Sequence, residues 1–326
     1  MTARTSVLFS TRDDLELVRL AEQLGFESVW AAEGQGKTAF GKLERWASAT
    51  DDIGLATGIV NVFSRTPAAT AQAIATLDAH SDGRAILGLG VAHPGVVEGF
   101  HGGEFDRPLP RTAEYIRLVR RYLEGDPSSF DGEFFTPERT SFWEAFEPVR
   151  SEIPIYNAAL GPANVRLTGQ LADGWLPNLY PRAEFRRACE WLETGLERGD
   201  RERDDIDVAM YVLVSVDDEP AVAREAAARH VATYFRDIPG YYDRVAADAG
   251  FESMIDQIKT APTMDAAADA VADEFLNHVA VAGDEAVVRS QLEELRTAGV
   301  DLPIVRAPIG ADRDAVEAVL RSTQPQ

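Results

Sequence analysis

Three short stretches of this chain hold groups that could do chemistry. Residues 86–95, ILGLGVAHPG, start like a dinucleotide loop, in which glycines let a backbone approach pyrophosphate. The third glycine of Gly-x-Gly-x-x-Gly is replaced by His93, followed by Pro94, so the run reads instead as a strand end passing into a loop. Histidine there can take or give a proton near neutrality, or simply hydrogen-bond its loop. Residues 159–165, ALGPANV, place Gly161, Pro162, Ala163 and Asn164 at a helix start, where free backbone amides suit a phosphate without any cationic side chain. Residues 30–36, WAAEGQG, put Glu33 at the end of a strand, as a pocket-lining carboxylate, a helix cap or an arginine partner.

Other chemistries lack their residues. Cys189 is the only cysteine, which excludes an internal disulfide and cysteine-rich zinc motifs. His93 and His101 flank a glycine-rich loop without metal-ligand spacing, and His80, His230 and His278 suggest no role. No Ser/His/Asp order and no P-loop is present, so hydrolase and phosphoryl-transfer readings have no support.

The elements that must position these groups follow from periodicity. Short apolar runs alternate with helical stripes along nearly all of the 326 residues. TSVLFS, SVWAA, IGLATGIV and RAILGLG read as the first four strands, IPIYNAA, DGWLPN and VAMYVLVSV as the next three, and LPIVRAP as the last. The helices between them include PAATAQAIATLDAHS, with proline in its first turn, and TAEYIRLVRRYLEG. About eight βα repeats without a linker imply an α/β fold, a single (β/α)8 TIM barrel over residues 1–326. Excursions fall near 126–150 and 236–262, and the active face lies at the C-terminal strand ends.

Composition is that of a folded protein, 45% hydrophobic and 26% charged, with no apolar run of the roughly 20 residues a membrane helix needs. The first residues do not resemble a signal peptide, so the expected location is the cytoplasm. Acidic residues number 54 against 32 basic, a formal net charge of −22, which disfavours nucleic acid and anionic membranes as partners. Lys37, Lys42 and Lys259 are the only lysines. An arginine-rich, high-GC genome explains the missing lysine but not the acidic excess, which points to a halophilic, high-salt cytoplasm.

Several segments together resemble the luciferase-like superfamily, in particular its branch dependent on the deazaflavin coenzyme F420. They are residues 21–33 (AEQLGFESVWAAE), 54–95, 107–120 (RPLPRTAEYIRLVR), 153–178 and 281–301, in the family's order and spacing. The resemblance implies a cis peptide at Gly58-Ile59, backing the deazaflavin's central ring. It also implies coenzyme contacts from Gly58, Ile59, Val60 and Asn61 after the third strand, Gly90 and Val91 after the fourth, and Ala159, Gly161, Pro162, Ala163 and Asn164 at the phosphate loop. His93 falls where relatives carry an acidic proton donor, and Glu33-Gly34 stands where sugar- and alcohol-oxidising relatives carry an Asp-His pair. The missing imidazole argues for reduction of an unsaturated or iminium-like small molecule. A methylene-tetrahydropterin reductase is one candidate, although LFSTRD lacks those enzymes' first-strand carboxylate. The resemblance further implies a homodimer. Two alternatives stay open at this point, an FMN-dependent monooxygenase on the same fold and a non-catalytic flavin-binding barrel.

Overall fold

A computed structural model describes residues 3–10, 12–142, 149–150, 152–238 and 240–325. Strands and helices alternate from the first element. The first half runs β1 (Ser6–Phe9), α1 (Leu15–Gln23), β2 (Ser28–Ala31), α2 (Ala39–Ala47), β3 (Gly54–Thr57), β4 (Val60–Asn61), α3 (Pro67–His80), β5 (Ala85–Gly90), α4 (Pro94–Val97) and α5 (Pro108–Glu124). Then follow β6 (Ile155–Asn157), α6 (Pro162–Leu171), β7 (Gly174–Trp175), α7 (Arg182–Arg198), β8 (Asp207–Val208) and β9 (Tyr211–Val216). Helices α8 (Pro220–Asp237), α9 (Tyr241–Asp248), α10 (Glu252–Thr260), α11 (Met264–Asp269) and α12 (Asp273–Val279) lead to β10 (Ala280–Gly283). The last elements are α13 (Glu285–Thr297), β11 (Ile304–Arg306) and α14 (Arg313–Ser322).

Every strand pairing is parallel, in the order β10-β9-β11-β1-β2-β3-β5-β6-β7-β8, with β4 on β5. The ring closes through residues 207–211. Their amides bond the carbonyls of Asp173, Trp175 and Pro177 on one side, while the carbonyls of Val208 and Met210 accept from Leu302 and Ile304 on the other. The expected TIM-type α/β barrel is therefore the observed one, with β10 added beside β9. The expected third strand is interrupted: β3 stops at Thr57, the Gly58-Ile59 bond is cis, and pairing resumes in β4.

Strand alternation builds two cores from one sheet. Val7, Phe9, Val29, Leu55, Leu87, Leu89, Ile155 and Val305 face the helices. Leu8, Trp30, Ala56, Tyr156, Leu176, Tyr211 and Ile304 fill the barrel, with Trp30 packed against Tyr156 and Tyr211 at centroid distances of 5.5 and 6.1 Å. A third apolar cluster, including Val231, Phe235, Ile258 and Phe275, holds α8–α12 together, so the second excursion is a helical block with its own packing. In the first, residues 126–142 form no helix or strand. They are tied to α5 by the Glu114 carboxylate, which accepts from the amides of Glu133, Phe134 and Phe135; positions 143–148 lie outside the described residues. Among the described residues no helix is long and apolar enough to cross a membrane.

Candidate functional site

The site is the layer of inward-facing residues at the C-terminal ends of the strands. Residues two positions beyond the inward Leu8, Trp30, Ala56, Tyr156, Leu176 and Ile304 are Ser10, Ala32, Gly58, Ala158, Asn178 and Arg306, and Gly90 is the matching residue on β5. The layer divides by chemistry. From β2 to β6 it is a ledge of small residues, Ala32, Gly58, Gly90 and Ala158. From β7 through β11 to β1 it is polar: Asn178, Arg306 and Ser10, with Tyr211 rising from below.

The ledge is as bare as the packing permits. A Cβ on Gly58 would stand 2.8 Å from the Tyr211 hydroxyl and 3.0 Å from Leu8 Cδ1, and one on Gly90 3.0 Å from the Ala158 Cβ and 3.3 Å from Ile59 Cδ1. The glycines keep the ledge flat, and the Ile59 side chain stands beside Gly90. Asn61, buried at the end of β4, accepts from the amides of Phe63 and Ser64 and so turns the chain away from the ring. Val60 is fully buried and Val91 partly so, packed on the outer core.

At the expected phosphate loop, Gly161 is the N-cap of α6 with Pro162 in its first turn and no side chain capping the helix. The amides of Gly161, Ala163 and Asn164 bond to no described group, and a Cβ on Gly161 would meet nothing within 4 Å, so this helix start faces open space. The Asn164 side chain holds the loop to β6, accepting from Asn157 Nδ2 at 3.0 Å and donating to the Ala158 carbonyl at 3.2 Å. The carbonyl of buried Ala159 accepts from the Trp175 indole at 2.8 Å.

His93 sits in the loop after β5 as the extended N-cap residue of the short helix α4. Its ring lies over Gly95 and forms no hydrogen bond among the described residues. Burial lowers its pKa below the ordinary imidazole value, so it is neutral near pH 7. Glu33 is engaged differently. Arg65 forks onto both of its oxygens at 3.2 Å, and the amide of Ala39, the first residue of α2, donates to it at 2.9 Å. Of the three possibilities open in the sequence, helix cap and arginine partner are both realised.

The polar half was not legible as a site. Arg306 is 4% exposed, donates to Tyr234 Oη at 2.7 Å and Ser10 Oγ at 3.1 Å, and leaves Nε without a partner. Asn178 Nδ2 donates to Tyr242 Oη at 2.9 Å, whereas Asn178 Oδ1 and the Tyr211 hydroxyl have no partner among the described residues. Burial raises the Tyr211 pKa, keeping the phenol protonated. Lys42 reaches from α2 to the carbonyls of Ala32 and Ser10 at 2.6 and 3.2 Å, and burial lowers its pKa. The only sequence signal for Arg306 is a charged residue two places beyond the inward-facing Ile304, at a barrel strand end.

Fold and site together define a parallel (β/α)8 barrel whose C-terminal strand ends pair a ledge of small residues with a polar wall. The chain belongs to the luciferase-like monooxygenase family, whose model matches residues 2–302. It is 35% identical, over 90% of each chain, to a putative coenzyme F420-dependent oxidoreductase of Mycobacterium tuberculosis. It is 31% identical to the 5,10-methylenetetrahydromethanopterin reductase of Methanopyrus kandleri, over 95% of this chain and 93% of that one. The solved structure of the coenzyme F420-dependent tetrahydromethanopterin reductase from Methanopyrus kandleri superposes with a TM-score of 0.84 at 28% identity, covering 99% and 98% of the two chains.

Proposed function

We propose that this chain is an oxidoreductase that binds coenzyme F420 at the ledge and exchanges a hydride with a small organic molecule placed against the polar wall. The observation that carries the reading is the run of small residues, Ala32, Gly58, Gly90 and Ala158, which puts no side chain larger than a methyl group over the aromatic barrel core and so suits a planar group. The F420-dependent relatives supply the identity of the planar group. Gly58, Ile59, Val60 and Asn61 would back the ring with Gly90 and Val91 alongside. Ala159, Gly161, Pro162, Ala163 and Asn164 would receive the phosphate on the open amides of α6. When bound, the deazaflavin supplies or accepts the hydride at its ring carbon C5.

The chain's own residues then orient and move a proton. His93, neutral near pH 7 and free of competing hydrogen bonds, accepts the proton that leaves an oxidised substrate, and returns it when the reaction runs towards reduction. Glu33, held by Arg65 and Ala39, is assigned a positioning role, fixing the end of β2 and the start of α2 beside the ledge. Reduction of an unsaturated or iminium-like substrate, as in a methylene-tetrahydropterin reductase, remains our preferred direction. We place the enzyme in the cytoplasm as a homodimer.

Titration of the purified protein in high salt, followed by absorbance and fluorescence, tests the cofactor. F420 is expected to saturate the site in the micromolar range or tighter. Tight FMN binding without F420 binding would overturn the proposal in favour of a monooxygenase.

A further inference from the structure

The polar wall contains a charge that the fold does not neutralise. Arg306 is buried at the end of β11 and faces the barrel mouth, yet none of the carboxylates of this strongly acidic chain lies within ion-pairing distance among the described residues. The neutral groups around it are Ser10, Tyr211, Tyr234, Tyr242, Asn178 and His230, and the other charge on this wall is also a cation, Lys42, held by the carbonyls of Ser10 and Ala32. Burying a guanidinium without a counter-ion is costly, and such charges are retained where something outside the fold pairs with them.

The unsatisfied atoms around Arg306 are mostly of one kind. Arg306 Nε–H is a donor with no acceptor, and the protonated Tyr211 hydroxyl is another. His230 supplies a third. Its Nδ1 accepts from the Ile309 amide at 3.0 Å, and burial pushes its pKa well below the ordinary value. The neutral ring therefore carries its proton on Nε2, which is buried without a partner. His230 stacks on Tyr234 at 5.0 Å between centroids, and the Arg306 guanidinium lies 5.5 Å from the centroid of the same ring. Tyr234 and Tyr242, from α8 and α9, bond Arg306 and Asn178, so the helical block roofs this side of the mouth.

We infer that Arg306 and Tyr211, with His230 on the same wall, form an anion receptor for a carboxylate carried by the substrate. One guanidinium balances one negative charge, and two donors on separate groups suit the two oxygens of a carboxylate. The inference deepens the proposed function by naming the substrate class: an organic acid held by its carboxylate on the β9–β11 side, with its reacting carbon towards the ledge.

The test uses the whole protein, with acetate as probe and acetamide, chloride and inorganic phosphate as controls, at constant ionic strength. Binding is read by calorimetry and thermal shift, with and without F420. Acetate should bind saturably whether or not F420 is present, and in preference to acetamide, chloride and phosphate. Arg306→Gln should abolish acetate binding, and Tyr211→Phe should weaken it about tenfold or more. Tyr211→Phe removes one oxygen, so it keeps the test decisive if Arg306→Gln fails to fold. No saturable acetate binding, equal binding by Tyr211→Phe, preference for phosphate, or displacement of acetate by F420 would each overturn the inference. Since F420 affinity is measured separately, F420 binding without acetate binding sinks the receptor alone, and acetate binding without F420 binding sinks the cofactor reading.

Discussion

At the residue scale, His93 and Glu33 are separated by what their polar atoms already do. Glu33 is committed to Arg65 and the start of α2, whereas His93 has a half-buried imidazole on the active face with no hydrogen bond among the described residues. Proton transfer by a placed side chain contributes about 10²–10⁴ in rate, so His93→Ala should lower turnover within that range while F420 affinity, which in the proposed site rests on backbone contacts elsewhere, changes little. The pH profile carries the sign of the burial effect. A pKa lowered in the folded protein keeps His93 unprotonated below the ordinary imidazole value of about 6.5, so in the oxidative direction activity should persist there before falling. Full turnover of the variant across this window would make His93 a structural loop residue. His93 could be singled out beforehand because it interrupts a recognisable glycine motif. Arg306 and Tyr211 could not, because each is an isolated residue in an ordinary strand, and only ring closure brings them together.

At the scale of elements, the helix beginning at the proposed phosphate loop is held by glycines rather than by its own amphipathic stripe. A Cβ on Gly195 of α7 would stand 2.2 Å from the Arg166 carbonyl oxygen of α6, and one on Gly169 of α6 2.4 Å from the Leu192 carbonyl oxygen. Both obstacles are backbone, so neither yields by a rotamer change. Gly195→Ala should cost about 1–3 kcal/mol by urea denaturation and shift the start of α6, weakening F420 binding as well as the fold. Unchanged stability would show that α6 slides without penalty. The alternation of strands and helices was readable from periodicity, since each strand carries an apolar outward face and each helix a stripe to meet it. The break between β3 and β4 was not readable from IGLATGIV, an unbroken apolar run; it entered through the family resemblance. The compact packing of α8–α12 also escaped periodicity, because α8 is rich in alanine and the helices after it are short, so each gives a weak stripe.

For the whole molecule the controlling quantity is charge. The 54 acidic and 32 basic residues leave 54 − 32 = 22 negative charges without a partner even if every cation pairs. Salt acts on this surface in two opposing ways. It weakens the exposed ion pairs, such as Arg321–Glu317 and Arg289–Glu285 along single helices, each worth about 0–1 kcal/mol. It also relieves repulsion among the unpaired carboxylates, a long-range effect that grows with net charge and is felt over a screening length of about 30 Å at 0.01 M but only about 3 Å at 1 M. With so many charges unpaired, the second effect wins, and melting should move to higher temperature from dilute buffer to molar KCl. Potassium chloride is the informative salt, because sulfate would stabilise through exclusion from the surface whatever the charge. A melting temperature independent of KCl would mean that the carboxylates are too dispersed to repel, and the expectation of a high-salt cytoplasm would lose its support.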